Sequence, residues 1–223
     1  MKYNVIIVLT GMAAFGLASS CSENDNTVQD MTPKTITLTA SAPQAIESSN
    51  DFGIDLFTKV AQAENKNLML SPLSASTALT MLLNGCAGDT YTQLQGTLDY
   101  PSGMTIGDIN EAYKSLVDQL LNADPKVKLA LANAIFYRKE FTVKEPFVAI
   151  MDNDYSAEIK GLDFSAPSAL TTINKWASDN TSKKIEKVLD EIDGDAVMFI
   201  MNALYFNGDW SNQFDKSNTE ERP

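Results

Sequence analysis

Two apolar segments, far apart in the chain, follow the same pattern. NAIFYRKEF (133–141) and NALYFNGDW (202–210) each contain asparagine, alanine, an aliphatic residue, two aromatic residues, polar residues and a final aromatic residue. Each segment overlaps the end of a longer apolar run, at 127–137 and 196–206 respectively. Such runs are typical of strands covered on both faces. The echo therefore predicts two central strands of one sheet whose corresponding residues meet similar surroundings.

Helix-spaced apolar residues surround these strands, so the chain belongs to the α+β or mixed class. Polar and proline residues mark where the helices should begin, namely Asn50 or Asp51, Ser71-Pro72, Thr90 with Gln93, and Thr142 with Glu145. Two more helices are expected at about 108–122 and around 170–177. Shorter strands are expected at 68–70 and 157–164.

The helix predicted to begin at Ser71 is apolar enough to be buried, yet five hydroxyl side chains run through it: Ser71, Ser74, Ser76, Thr77 and Thr80. Ser71 suits the N-cap and Ser74 the first turn, so capping alone explains two of them. The other three need a second reason. Hydroxyls inside a core can exchange hydrogen-bond partners without leaving a costly unsatisfied group.

The first 20 residues have a basic start and a short apolar stretch, which is typical of a secretory signal of the Sec route. Small residues directly precede Cys21, as in the bacterial lipoprotein box, so Cys21 is the predicted lipidation site and membrane anchor. Ordinary cleavage after 18–20 is the alternative. We expect an envelope or outer-membrane lipoprotein. The acidic start of 22–25 resembles the surface-export tags of some Gram-negative lipoproteins.

The polar segment after the cysteine contains few large apolar residues, which favours a flexible tether. The predicted organisation is therefore a signal peptide at 1–20, a tether at 21–48 and a folded domain at 49–223. Lipidation of Cys21 would leave Cys86 without a disulfide partner, as a small buried residue.

Composition narrows the functions that this chain can have. It contains no histidine, which excludes His-dependent catalysis and His-ligated zinc. Its net charge of −12 makes nucleic acid an unfavourable partner. No metal or cofactor site is expected, and we expect no enzyme. A carboxylate enzyme is the rival hypothesis, with the acidic residues of 190–195 as candidates. A charge run between a helix and a strand is more often a solvated turn.

Three ordered segments resemble the serpins. Residues 71–90 are similar to the family's SPxSxxxALxMxxxGAxGxT helix, and 173–189 to its INxWVxxxTxGKI element, although Ser182 stands before Lys183 where glycine is expected. Residues 199–221 are similar to the family's VNAIYFKGxWxxxF strand and its sequel. Gly85-Cys86 replaces the usual Gly-Ala pair.

The resemblance implies N-terminal helices packed behind a large central β-sheet. It implies that Ser71, Ser74 and Asn202 lie in the "shutter" under the parting strands, and that Trp210 lies at the "breach" where the sheet opens. We therefore expect the helix starting at Ser71 to pack against the segment that holds Asn202.

Most serpins are suicide inhibitors of serine or cysteine proteases, so a target protease is the implied partner. The protease cuts a reactive-centre loop and becomes acylated by it, and the loop then inserts into the sheet. Nothing in 1–223 resembles that loop, so no reactive bond can be named. We expect the chain alone to be inactive and the sheet to be incomplete, with an unpaired, aggregation-prone edge at 196–206. The chain is read either as a fragment or as a natural truncation. A non-inhibitory, envelope-anchored binding or adhesion module is the alternative function.

Overall fold

A computed structural model describes residues 32–210, 212 and 215–220. The predicted signal peptide, Cys21 and the first part of the tether lie outside these residues. The described part begins with four helices and continues with strands and helices in turn, which confirms the mixed class. In chain order these elements are α1 Ala42–Ala63, α2 Pro72–Leu83, α3 Gly88–Thr97, α4 Ile106–Leu120, β1 Val127–Arg138, α5 Glu145–Tyr155, β2 Glu158–Leu162, α6 Pro167–Asn180 and β3 Met198–Gly208, followed by a 3₁₀ turn Lys216–Asn218.

The three strands form one sheet in the order β2-β1-β3. β1 runs parallel to β2 and antiparallel to β3. The register places Asn133 of β1 directly opposite Asn202 of β3. Within the described residues β1 is therefore central, but β3 is an edge strand. β1 has the central position predicted for it, and no described strand pairs with the outer side of β3, in agreement with the expected unpaired edge at 196–206.

The sheet is covered on both faces. Phe136 and Ala134 point to one face, where α6 packs with Ile173 and Trp176, and the Phe136 and Trp176 rings meet edge to face with centroids 6.1 Å apart. Alternate residues such as Ile135 point to the opposite face and pack against α2 and α5. We call the side that packs against α6 the α6 face, and the side that packs against α2 and α5 the helical-layer face.

A separate cluster holds the helical layer together. Phe52, Leu83, Leu98 and Ile109 bring α1, the end of α2, the end of α3 and α4 into one core. α2 also contacts the sheet, because Met81 packs among side chains of β1, β3 and α5. The expectation that the Ser71 helix lies against the segment holding Asn202 agrees with the structure.

The helical layer begins earlier than predicted. α1 starts at Ala42 rather than at Asn50 or Asp51, because Pro43 in the first turn fits the fixed backbone angle of a helix start. Upstream, the Lys34 amide donates to the Ala123 carbonyl at 2.7 Å. Part of the segment predicted as a tether is therefore helical or hydrogen-bonded to α4 and the turn after it.

Gln119 of α4 holds the segment before α1 in place. Its side-chain oxygen accepts from the Thr37 amide at 2.6 Å, and its side-chain nitrogen donates to the Thr37 carbonyl at 2.7 Å. One glutamine thus satisfies both backbone groups of Thr37, as a neighbouring strand would. Composition alone could not reveal this contact.

Two predicted capping boxes do not form. Ala87 is at the N-cap of α3, so Thr90 lies inside that helix, and Lys144 is at the N-cap of α5, beyond Thr142. The capping box that does form pairs Thr105 with Asp108 at the start of α4. Aspartate can replace glutamate in this role because its carboxylate still reaches the N-cap amide, at 3.1 Å.

Residues 68–70 form no strand, and Met69 is 96% exposed. A strand needs a neighbour for its backbone hydrogen bonds, and no described strand lies beside this segment. The other predicted strands and helices agree with the structure to within a few residues at their ends.

Candidate functional site beneath the sheet

Two of the five α2 hydroxyls form the helix cap, as capping predicts. Ser71 Oγ accepts from the Ser74 amide at 3.3 Å and donates to Ser74 Oγ at 3.0 Å. Pro72 occupies the first helical position, and the helix ends before the Asn84 C-cap. The predicted start and end of this helix are therefore confirmed.

The other three hydroxyls are buried, with Ser76, Thr77 and Thr80 each at most 4% exposed. Ser76 Oγ lies 3.2 Å from Ser49 Oγ of α1. Thr80 Oγ1 donates to the Ser76 carbonyl at 2.7 Å and lies 3.1 Å from the Tyr100 hydroxyl. These side chains link α2 to its neighbours through groups that can donate or accept.

A reciprocal pair of amides joins α2 to α4. Asn84 Nδ2 donates to Asn110 Oδ1 at 3.0 Å, and Asn110 Nδ2 donates to Asn84 Oδ1 at 2.8 Å. The buried Tyr155 hydroxyl donates to Asn110 Oδ1 at 2.7 Å, which adds α5 to the network. Three helices thus meet through uncharged polar groups.

Asn133 extends this network to the sheet. Its Nδ2 donates to the Tyr155 carbonyl at 2.8 Å and to the Tyr113 hydroxyl at 3.2 Å, and its Oδ1 accepts from Asn202 Nδ2 at 2.8 Å. The Tyr113 and Tyr155 rings stack with centroids 4.5 Å apart. All polar atoms of the Asn133 side chain have partners, whereas the buried Asn202 Oδ1 has no hydrogen-bond partner among the described residues.

One further hydroxyl is poorly satisfied. Thr77 Oγ1 makes no hydrogen bond of normal geometry with a described residue. It still lies close enough to the Tyr113 hydroxyl to oppose slightly the rise in that phenol's pKa. A geometrically poor contact of this kind satisfies Thr77 only in part.

Burial keeps the network uncharged. Burial is the main cause that raises the pKa of the Tyr155, Tyr113 and Tyr100 phenols above their ordinary value. The phenols therefore remain protonated donors at neutral pH. A network of neutral amides and phenols can change partners without exposing or creating a buried charge.

The structure brings together only some of the residues predicted from the family resemblance. Asn202 lies in the network with Asn133. Ser71 and Ser74 bond to each other at the start of α2 and make no hydrogen bond to Asn202. Trp210 lies beyond the end of β3 and is 72% exposed. The shutter and breach roles of these residues remain predictions.

Sequence reasoning did not single out Asn133, Asn110 or Tyr155. The signal for Asn133 was present, because it occupies the first position of the segment that echoes 202–210. The echo predicts two similar strands, but it does not predict that its two asparagines face each other. No comparable pattern marks Asn110 and Tyr155, whose meeting depends on how α4 and α5 pack.

The remaining candidates have ordinary surroundings. Cys86 is half-buried rather than fully buried, and its thiol lies 3.3 Å from the Leu82 carbonyl. In the acidic cluster, Asp190 pairs with Lys187, whose hydrogen bond lowers the pKa of that carboxyl, and Asp193 accepts from the Asp195 amide at 2.9 Å. These contacts are those of a solvated turn.

Among the helices that the structure describes, none combines the length and apolar character needed to cross a bilayer.

A family model described as "Serpin (serine protease inhibitor)" matches residues 47–223. This match begins within α1, close to the observed start of the helical layer.

Individual proteins are also similar to the chain. It is 32% identical to Serpin B6 of Bos taurus, covering 79% of this chain and 48% of that protein. It is 30% identical to Alpha-1-antitrypsin 1-2 of Mus musculus, covering 92% of this chain and 49% of that protein. The chain thus spans about half the length of the curated relatives it matches.

The fold is similar to solved structures as well. The crystal structure of tengpin, a thermophilic serpin in the latent state, superposes with a TM-score of 0.72 at 30% identity. That similarity covers 83% of this chain and 48% of the tengpin chain.

Proposed function

The chain belongs to the serpin family, and we propose that it supplies the helical layer and three sheet strands of an envelope-anchored protease inhibitor. The inhibited enzyme would be a serine or cysteine protease. The observation that carries this proposal is the hydrogen-bonded pair Asn133 and Asn202, which joins β1 to β3 above a neutral polar network.

The network suits a sheet that must open. Loop insertion requires strands to part and to accept a new neighbour, which exposes buried polar groups for a moment. Asn133 is held by α4 and α5 as well as by Asn202, so it would keep two partners if the strands moved. Asn202 Oδ1 remains available to accept from an element that lies against β3.

Covalent capture of a protease is the direct test. Protein isolated from its native envelope with an antibody against 42–210 is incubated with trypsin-like, chymotrypsin-like and papain-like proteases. We expect one of them to form an adduct that survives boiling in dodecyl sulfate, because the acyl-enzyme bond is covalent. The same protease, blocked beforehand at its nucleophile, should form none.

The other outcome separates the two candidate functions. Cleavage of the protein by every protease tested, with no adduct at any ratio, would contradict inhibition and favour the non-inhibitory binding module. The 223-residue chain expressed by itself is expected to form no adduct, since none of its segments resembles a reactive-centre loop.

We also propose that Cys21 carries the lipid anchor. The Cys21→Ser variant should move from the membrane to the soluble fraction and lose incorporation of an alkyne-labelled fatty acid. Cys86→Ser is the matched control, because Cys86 lies within the folded domain. Retention of the Cys21→Ser protein in the membrane fraction would overturn the proposed anchor.

A further inference from the structure

A cavity of about 40 Å³ lies inside the helical layer, between α1, α2 and α4. Apolar side chains such as Ile109 and Leu116 form part of its wall, and no charged side chain of the described residues lines it. One buried water needs about 10–15 Å³, so the cavity has room for at least one. Six side chains with hydroxyl groups form the rest of the wall: Ser49 of α1, Ser76, Thr77 and Thr80 of α2, Tyr100, and Tyr113 of α4.

Thr77 differs from the other α2 hydroxyls that line this cavity. Thr80 Oγ1 donates to the Ser76 carbonyl one turn back, which is a common partner for a hydroxyl within a helix. The equivalent partner for Thr77 is the Leu73 carbonyl, but there it is Ser76 Oγ that donates, at 3.1 Å. Thr77 is 2% exposed, and its Oγ1 has no hydrogen-bond partner among the described residues. A bare buried hydroxyl is costly, which indicates a partner small enough to enter the cavity.

Tyr113 of α4 offers a second hydroxyl at the same cavity. Thr77 lies on the face of α2 that borders the cavity, since Leu73 and Thr80, about one turn before and after it, line the cavity too. The Tyr113 hydroxyl accepts from Asn133 Nδ2 at 3.2 Å and keeps its own proton for another acceptor. A water between the two hydroxyls would accept from Tyr113 and donate to Thr77, so that one molecule satisfies both.

We infer that the cavity binds an ordered water molecule between Thr77 Oγ1 and the Tyr113 hydroxyl. Its uncharged walls disfavour an ion, because a charge buried there would have no counter-ion. Hydrogen bonds then run from α2 through the water to Tyr113, and from there to Asn133 and Asn202. The water thus links α2 to both β1 and β3. This binding does not depend on the proposed inhibition of a protease.

Magnetic relaxation dispersion of the water nuclei, which counts long-lived internal waters, tests the inference on the full chain in solution. We expect Thr77→Val to lose a long-lived water that the wild type holds, because valine has a similar shape but no hydroxyl. Tyr113→Phe should lose the same water. Two matched controls should keep it. Thr172→Val makes the first exchange at an exposed position of α6, and Tyr91→Phe makes the second elsewhere in the helical layer.

The stability of these variants gives an independent sign. If a water satisfies Thr77, Thr77→Val leaves that water short of a partner and should lower the urea midpoint of unfolding relative to Thr172→Val. If the hydroxyl is bare, the same change removes an unsatisfied group and should raise the midpoint. A raised midpoint, or a water count that neither cavity variant changes, would overturn the inference.

A crystal structure of the wild-type chain provides a check that needs no variant. Density for a water within hydrogen-bond distance of both Thr77 Oγ1 and the Tyr113 hydroxyl would support the inference. Xenon binding in the same cavity of a pressurised crystal would contradict it, because xenon enters cavities that are dry.

Discussion

β1 and β3 share a sequence pattern but differ in their surroundings. In β1, the residues Ala134, Ile135 and Phe136 are fully buried. At the corresponding positions of β3, Ala203 is buried, but Tyr205 is only half-buried. One position further, Tyr137 of β1 is half-buried and Phe206 of β3 is 65% exposed.

The difference lies in where each strand sits within the sheet. β1 has a hydrogen-bonded neighbour on both sides, whereas β3 has one described neighbour. The shared pattern fixes which side chains point to which face, because that depends only on alternation along the strand. Burial depends in addition on what lies beside the strand, which the local pattern does not encode.

Substitution of the matching aromatic residues should show the largest contrast. Phe136→Ala removes a fully buried ring that packs against Trp176, so we expect a loss of about 3–5 kcal/mol in the free energy of unfolding. Tyr205→Ala should cost far less, because its ring is partly solvated. Urea unfolding followed by circular dichroism measures both, and equal losses would show that β3 is as well covered as β1.

Substitution of the paired asparagines should likewise cost more stability in β1 than in β3. Asn133→Ala leaves the Tyr155 carbonyl, the Tyr113 hydroxyl and Asn202 Nδ2 without their partner, which we expect to cost about 2–4 kcal/mol. Asn202→Ala removes one hydrogen bond together with an unsatisfied oxygen, so its cost should be about 1 kcal/mol. If Asn202→Ala lowered the free energy of unfolding in urea by clearly more than this expected cost, Asn202 Oδ1 would have a hydrogen-bond partner in solution.

These asparagines also show how much of the site can be predicted from the sequence. Periodicity and the echo predicted both strands, and the family resemblance marked Asn202 as part of a functional cluster. Pairing of Asn202 with Asn133 follows from the antiparallel register, which no local pattern determines. Asn84 was predicted only as a helix stop, yet its side chain bonds to Asn110 in a distant helix.

Errors at the helix ends have a related cause. Thr90 and Thr142 have the residue types of capping boxes, but each competes with neighbouring residues that can also begin the helix. Pro43 and Thr105 carry equally good local signals for a helix start. The local sequence is thus compatible with several helix starts, and packing of the helix against the rest of the domain determines which one forms.

One position further along each strand, Arg138 of β1 corresponds to Asn207 of β3. The Arg138 guanidinium donates to the Ala196 carbonyl through Nε at 3.1 Å and Nη2 at 2.7 Å, and Nη2 also bonds the Gly194 carbonyl. Arg138→Ala should therefore cost about 1–2 kcal/mol and speed amide exchange in the turn before β3.

Lysine at this position tests whether the effect needs the shape of the guanidinium group. Arg138→Lys keeps the charge but loses the fork of donors, so we expect it to retain little of the stabilisation. Asn207→Ala should change stability by only a few tenths of a kcal/mol, because its side chain is exposed and makes one long hydrogen bond. Full stability of Arg138→Lys would show that charge alone holds the turn.

The smallest expected effect concerns the phenols on the two faces of the sheet. Tyr113 and Tyr155, on the helical-layer face, have raised pKa values because they are buried, and Tyr205, on the α6 face, has a lowered one. On raising the pH, Tyr205 should therefore ionise first, below the ordinary value of 10. A raised folded-state pKa stabilises the fold fully below the unfolded value, and this contribution is lost as the pH rises above it.

The buried phenols should consequently ionise only as the protein unfolds at alkaline pH. Phenolate absorbance should show an early phase that Tyr205→Phe removes without moving the pH of unfolding. Tyr155→Phe should instead lower the stability at neutral pH, because it removes the donor to Asn110 Oδ1. A single phase containing all the phenols would mean that the two faces are equally open to water, and the contrast between β1 and β3 would then not hold in solution.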